Sequence, residues 1–319
     1  MRRGRYAPSP TGGLHLGNAR TALVAWWRAR AARASFVLRV EDLDRPRTVP
    51  AAVHGNLAEL RWLGLDWDEG PDVSGPYGPY LQSERTAAYE AALGRLTADG
   101  ATFACWLSRK DLRELASAPH GPTPPYGRRE RARNARAETT KRAAGRTPAV
   151  RLRVGPGTVA WTDRLAGPQA FDLEAEVGDL VLRRADGLFA YALAVVVDDA
   201  VMGIEEVVRG DDLLQATAAQ IALQRALGLP TPAYAHVPLL LGPDGMRLSK
   251  RRGDRTLHAL RDAGVRPERV VGLLAATLGL LPEPSETSAA ELIDVGGAAD
   301  LPRAPGRLTE AHETWLHGG

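Results

Sequence analysis

Two short segments far apart in this 319-residue chain constrain its fold more than anything else in it: PSPTGGLHLGN, from Pro8 to Asn18, and GMRLSKRRGD, from Gly245 to Asp254. The first sets Gly12, Gly13, His15, Gly17 and Asn18 between a strand expected at Arg5 to Ala7 and a helix expected over Asn18 to Ala34. A strand, a glycine-rich turn and a helix in that order make a unit whose helix N-terminus gathers backbone amides and attracts phosphate. The glycines let backbone approach a nucleotide without a side-chain clash. His15 can donate to triphosphate oxygens, Thr11 can do similar work, and Asn18 can cap the helix while offering an amide to a ligand. The second segment supplies cations. Arg247 and Lys250 can grip the β- and γ-phosphates as charge builds on departing pyrophosphate, in chemistry where positioning and electrostatics outweigh covalent catalysis. Taken singly, the first segment reads better as a plain glycine-rich turn and the second, extended by Arg251, Arg252 and Arg255, as a solvated basic turn. Their pairing carries the nucleotide reading.

With 44% hydrophobic and 25% charged residues, the chain has the make-up of a globular protein with a core shared over two or three domains. A net charge of +3 and an isoelectric point near 9.2 favour acidic partners mildly, RNA among them. The single cysteine, Cys105, cannot form an intramolecular disulfide. No apolar segment follows Arg2 and Arg3 as a secretory signal would require, and the longest apolar stretch, Val270 to Leu281, is too short to span a bilayer. A cytoplasmic enzyme without a membrane anchor is the expectation.

Hydrophobic patterning predicts a strand at Val37 to Val40 and a turn-rich stretch over Asp66 to Tyr80. A helix over Ser83 to Leu96 is expected next, with Ser83 as its cap. The texture changes after Phe103, with a proline-rich loop at Pro119 to Tyr126, an arginine-rich run from Arg128 to Arg146 and short alternating segments such as Val150 to Val154. The arginine-rich run reads as a solvated helix face that can contribute phosphate contacts. Beyond it, Leu193 to Val197 reads as a buried parallel strand. Helices are expected over Leu213 to Leu227, Thr256 to Ala263 and Pro267 to Leu280, the last with proline in its first turn.

RYAPSPTGGLHLGNARTAL resembles the HIGH region of class I aminoacyl-tRNA synthetases of the glutamyl type, and MRLSK resembles their KMSKS loop. RVEDLDRPR at Arg39 to Arg47, YLQSER at Tyr80 to Arg85, LFAYALAVVVDD at Leu188 to Asp199 and VVRGDDLL at Val207 to Leu214 extend the resemblance in the same order. It implies an α/β fold with a Rossmann-like parallel sheet split by an α+β insertion. The first half would occupy residues 1–102, the insertion 103–187, the second half 188–250 and a small helical domain 251–319.

The resemblance also implies a glutamate pocket. Arg5 and Arg209 suit the two carboxylates, because guanidinium forks bind them bidentately and stay charged when desolvated. Glu41 offers a counter-charge to the substrate ammonium. Ser9, the Ala7 backbone and the Tyr191 hydroxyl complete the polar shell, and Tyr6 and Pro8 line it. ATP would meet Thr11, His15, Gly17, Asn18 and Lys250, with His15, Arg247 and Lys250 as the catalytic groups and Mg2+ accompanying the nucleotide.

Three departures from the family pattern stand out. Asn18 replaces a second histidine, and Arg247 replaces the first lysine of the basic loop. Many relatives bind zinc in the insertion through a CxC pair and a later YxxxC, but here those positions read Cys105, Leu107, Tyr126 and Glu130. With half the ligands gone, zinc is not expected, His120 being the one alternative ligand, and Cys105 reads as a buried thiol.

Only 69 residues follow Lys250, where a discriminating glutamyl-tRNA synthetase carries a large helical anticodon-binding region. The expectation is therefore a truncated paralogue, monomeric, that activates L-glutamate with ATP without tRNA. It would then transfer the glutamyl group to queuosine in the anticodon of tRNA(Asp). The alternatives are a short glutamyl-tRNA synthetase charging a tRNA 3′ end, and a non-catalytic amino-acid or RNA sensor. Arg5, Glu41, Arg209 and Lys250 together argue against the sensor.

Overall fold

The structure, a computed structural model, describes residues 2–108, 110–112, 125–246, 248 and 256–318. It opens with β1 (Arg3–Tyr6), α1 (Leu16–Ala31) and β2 (Ser35–Leu38), in which the two strands pair in parallel. Helix α1 is apolar on most of its circumference, from Leu16 through Leu23 and Val24 to Trp26 and Trp27, so it is buried between layers instead of lying on the surface. Helix α2 (Pro50–Trp62) begins with proline in its first turn, where no N–H partner is lost.

Helix α3 (Thr86–Ala98) starts later than the sequence suggests, and Ser83 does not cap it. Ser83 lies in a short 3-10 turn, its N–H and hydroxyl both donating to Asp42, at 2.8 and 2.6 Å. A distant carboxylate outcompetes the local cap.

The insertion brings β3 (Thr102–Cys105), α4 (Arg128–Ala143), β4 (Ala149–Leu152), the hairpin β5 (Thr158–Asp163) with β6 (Gly167–Asp172), and β7 (Leu180–Arg183). Strands β3, β4 and β7 form an antiparallel sheet in that order. The arginine-rich run is α4. Arg128, Arg129, Arg133 and Arg136 are exposed on it, while Arg131 turns inward to pair with Asp179 at 2.7 Å.

Leu193 to Val197 is helical, not a strand: it lies inside α5 (Tyr191–Val201). Leu193 through Asp199 are all buried, and a helix buried on every side loses its periodicity and looks like a buried strand in sequence. The parallel strand comes next, as β8 (Glu206–Gly210), then α6 (Leu214–Leu227) and β9 (Ala233–Val237). All three neighbouring pairs of the main sheet, order β2-β1-β8-β9, are parallel. From β1 the chain winds to one side and from β8 to the other, making a switch point between them. Ligands of open α/β sheets bind at such a point, beyond the strand C-termini.

The remaining elements are β10 (Leu240–Leu241), α7 (Leu257–Asp262), α8 (Pro267–Thr277), α9 (Ile293–Ala298), β11 (Gly306–Arg307) and α10 (Glu310–Leu316). They share one core with α1. Trp27 donates its indole N–H to the Ala289 carbonyl at 2.8 Å, and a Cβ at Gly296 would meet the Trp27 ring at 2.6 Å. Among the described residues no helix is long and apolar enough to cross a membrane.

Candidate active site

A cavity of about 420 Å³ opens at the C-terminal ends of β1, β8 and β9. Arg5, Tyr6, Ala7, Pro8, Ser9, Thr11, His15, Gly17, Asn18, Glu41, Tyr191 and Arg209 all line it. Every sequence-predicted site residue within the described part of the chain therefore meets in one place. Arg247, Lys250 and His120 lie outside the described residues. The flanks of the basic segment are fixed beside the first motif. Leu248 lines the cavity, and where the chain re-enters, Thr256 bridges to His15 and the Leu257 N–H donates to the Leu14 carbonyl at 2.8 Å.

The first motif folds around a different cap from the one the sequence suggests. His15, not Asn18, is the N-cap of α1: its Nδ1 accepts from the N–H groups of Gly17 and Asn18 at 3.1 and 3.3 Å. Asn18 returns the favour from the third helical position, its Oδ1 accepting from the His15 N–H at 3.2 Å. Because Nδ1 accepts, the proton of the neutral ring sits on Nε2, which makes that edge a donor. Gly17 leaves room for the ring, since a Cβ on it would lie 3.0 Å from the imidazole. Glu59 of α2 braces the turn from behind, accepting from the Leu14 N–H at 2.8 Å.

Beneath the cavity lies a charged layer. Arg39, fully buried, binds Asp199 at 2.7 Å. Asp198 accepts from Gln82, Arg85 and Tyr89, at 2.8, 2.6 and 2.8 Å. Three of the segments noted above, RVEDLDRPR, YLQSER and LFAYALAVVVDD, thus interlock through one ion network. Burial alone would raise the Asp199 carboxyl, but Arg39 and Arg5 hold it below the ordinary carboxylate range. Arg5 commits Nε to Asp199 at 3.4 Å and Nη1 to the Val208 carbonyl at 3.2 Å.

Glu41 is treated differently. Its Oε1 is buried without a hydrogen-bond partner among the described residues, and its nearest cation, Arg39, stands at 3.5 Å. Burial pushes its carboxyl up to about 7, against the pull of Arg39 and Arg5. A buried carboxylate left so under-compensated is suited to a cationic ligand group. Tyr191 stands at the rim, 38% exposed.

Arg209 donates Nη2–H to the Thr217 hydroxyl at 2.6 Å and Nε–H to His236 Nε2 at 3.2 Å, and its Nη1 is buried without a partner among the described residues. The sequence reading did not identify His236, Thr217 or the buried Arg39, Asp198 and Asp199. The adjacent acids of LFAYALAVVVDD, set in an apolar run, were the one available signal for the ion network, since unpaired carboxylates are not buried. Nothing local marks His236.

The zinc-like positions of the insertion form an apolar cluster. Cys105, Leu107 and Tyr126 pack together with Phe103, Leu112, Ala137 and Ala149 around them. The Cys105 thiol points at the Tyr126 hydroxyl at 3.6 Å, and the Glu130 carboxylate accepts from the Gly127 N–H at 2.9 Å. A leucine, a hydrogen-bonded phenol and a carboxylate capping a helix do not fit a tetrahedral zinc ion.

Residues 2–294 match the pattern of the catalytic domain of class I tRNA synthetases (E and Q). Over 319 residues the chain is 52% identical to the glutamyl-Q tRNA(Asp) synthetase of Symbiobacterium thermophilum, covering 99% of this chain and 98% of that one. It is 48% identical over 263 residues to glutamate–tRNA ligase 2 of Acidithiobacillus ferrooxidans, but spans only 54% of that protein's length. The crystal structure of glutamate-tRNA synthetase from Elizabethkingia anophelis superposes with a TM-score of 0.85 at 27% identity, over 99% of this chain and 70% of the other.

Proposed function

The chain belongs to the class I tRNA synthetases of the glutamyl and glutaminyl type, and from that premise we propose that it activates L-glutamate with ATP and transfers the glutamyl group to queuosine in the anticodon of tRNA(Asp). The observation that carries the reading is the convergence of two buried guanidiniums, Arg5 and Arg209, with the carboxylate of Glu41, whose Oε1 accepts no hydrogen bond among the described residues, and the α1 N-terminus in a single cavity. Such a set recognises a molecule with two carboxylates and an ammonium beside a phosphate chain. The acceptor is the one named for a relative that is 52% identical over nearly the whole chain.

In the first step an α-carboxylate oxygen of glutamate attacks the α-phosphorus of ATP, forming an acyl phosphate bond as the bond to pyrophosphate breaks. Magnesium would accompany the triphosphate as its counter-ion. Arg209 and Arg5 hold the two carboxylates, and Glu41 holds the ammonium so that one oxygen faces phosphorus. His15 donates from Nε2, and the backbone amides at the start of α1 add their dipoles, at oxygens whose charge grows as the bond breaks. Lys250 and Arg247 take the charge of the leaving pyrophosphate. In the second step a hydroxyl of the cyclopentenediol attacks the acyl carbon, and AMP leaves. The exposed arginines of α4 offer phosphate contacts to the anticodon arm.

Pyrophosphate exchange with glutamate and ATP, without tRNA, tests the first step, and Lys250→Ala should abolish it. A sensor would give no exchange. Transfer of labelled glutamate to tRNA(Asp) with and without queuosine tests the second. Equal charging of tRNA(Glu), indifferent to queuosine, would show a 3′-end synthetase instead.

A further inference from the structure

His236 stands one residue from the C-terminal end of β9, outside the cavity lining, yet it is tied to both the insertion and the substrate side of the sheet. Its Nδ1 lies 2.5 Å from Asp163 Oδ2, where β5 of the insertion ends. Its Nε2 lies 3.2 Å from Arg209 Nε and 2.9 Å from the Thr217 hydroxyl. Asp163 is fully buried and highly organised. Its other oxygen, Oδ1, accepts from the backbone N–H groups of His236, Leu165 and Ala166, at 2.9, 3.1 and 2.9 Å.

The proton positions follow from these contacts. The hydrogen bonds from His236 and two backbone groups overcome the effect of burial and hold the Asp163 carboxyl at about 2, so Asp163 is an acceptor and Nδ1 carries the hydrogen. Burial lowers the basicity of His236 against the pull of Asp163, with Arg209 adding to the lowering, and the neutral ring, its one hydrogen on Nδ1 facing Asp163, leaves Nε2 bare. A bare Nε2 can accept the Nε–H of Arg209. An imidazole protonated there would set N–H against N–H.

We infer that Asp163 and His236 are positioning residues for Arg209, the binding arginine of the proposed glutamate site: Asp163 fixes the tautomer of His236, whose Nε2 then turns Arg209 so that its uncommitted Nη1 faces the ligand. The inference rests on the glutamate reading of the cavity for its effect on substrate, but the tautomer itself is a property of the ligand-free protein. Arg209 needs this help because its guanidinium is buried against the Tyr234 ring, 5.3 Å from its centroid, with no carboxylate bound to it directly among the described residues. A neutral acceptor orients the fork without consuming its charge, which a carboxylate partner would do.

Asp163→Asn is the discriminating variant. Asparagine keeps an oxygen for the three backbone donors and replaces Oδ2 with an NH2 group, which forces the His236 proton to Nε2. Side-chain 15N shifts of His236 should report Nδ1–H in the unsubstituted protein and Nε2–H in Asp163→Asn, with a cooperative thermal unfolding transition showing that the variant is folded. In tRNA-independent pyrophosphate exchange, the glutamate KM should rise about tenfold or more, the loss of one hydrogen bond to a charged group, with the ATP KM and kcat within about twofold. His236→Gln, which offers Arg209 an amide oxygen, should recover much of the glutamate KM that His236→Leu loses. An Nε2–H tautomer in the unsubstituted protein overturns the inference without any substrate. So does an inverted tautomer in Asp163→Asn with an unchanged glutamate KM. Absence of glutamate-dependent exchange in the unsubstituted enzyme counts against the glutamate reading, and the shifts still decide the tautomer.

Discussion

Glu41 Oε1 stands 3.5 Å from Nη2 of Arg39, an ion pair in which neither atom makes a hydrogen bond among the described residues. The carboxylate is held beside its cation but not satisfied by it. That arrangement stores an electrostatic cost in the free protein that a ligand ammonium can relieve.

Glu41→Gln should therefore stabilise the free protein at neutral pH while raising the glutamate KM in pyrophosphate exchange by about a hundredfold, the loss of a buried ion pair to substrate. The sign follows from the raised carboxyl, at about 7. Between its unfolded value near 4.3 and about 7 the folded state binds more protons, so stability falls as pH rises through that window. Tm measured from pH 5 to 8 without ligand should fall for the unsubstituted protein relative to Glu41→Gln, and parallel curves would refute the assignment.

His15 has two jobs that separate on substitution. His15→Ala removes the α1 cap and the Nε2 donor, and should cost about 1 kcal/mol of stability and about 10² in kcat. His15→Asn restores a good cap without reaching the phosphate. Chemical denaturation should find its stability recovered, and exchange kinetics should find its rate still low.

Asp198 is the anchor of the buried ion network, accepting from Gln82, Arg85 and Tyr89. Asp198→Ala leaves Arg39 and Arg85 without a shared counter-charge, and should cost about 3–5 kcal/mol in urea denaturation. A loss below about 1 kcal/mol would mean that Asp199 alone balances both arginines.

The cluster of Cys105, Leu107 and Tyr126 should make the insertion indifferent to chelators. Prolonged EDTA or phenanthroline treatment should leave Tm unchanged, and metal analysis of the purified protein should find zinc well below one equivalent. A stoichiometric zinc ion whose removal lowers Tm would refute this.

Patterns that are local in the chain were legible in the sequence. The β1–α1–β2 opening, the glycine turn at Gly12 to Gly17, and α6 and α8 follow from periodicity, proline position and turn chemistry, all written within a few residues. The segments around Arg5, Glu41 and Arg209 were also recognisable as a set. Three-dimensional packing decided what depends on neighbours distant in sequence. Burial on every side erased the helical period of α5, so Leu193 to Val197 resembled a strand. Asp42 took Ser83 away from its expected helix cap, and His15 took the α1 cap from Asn18. His236 joins Asp163 to Arg209 across 73 and 27 positions of sequence. A hydrogen bond depends on distance and direction in space, and those are fixed only when the sheet and its insertion come together.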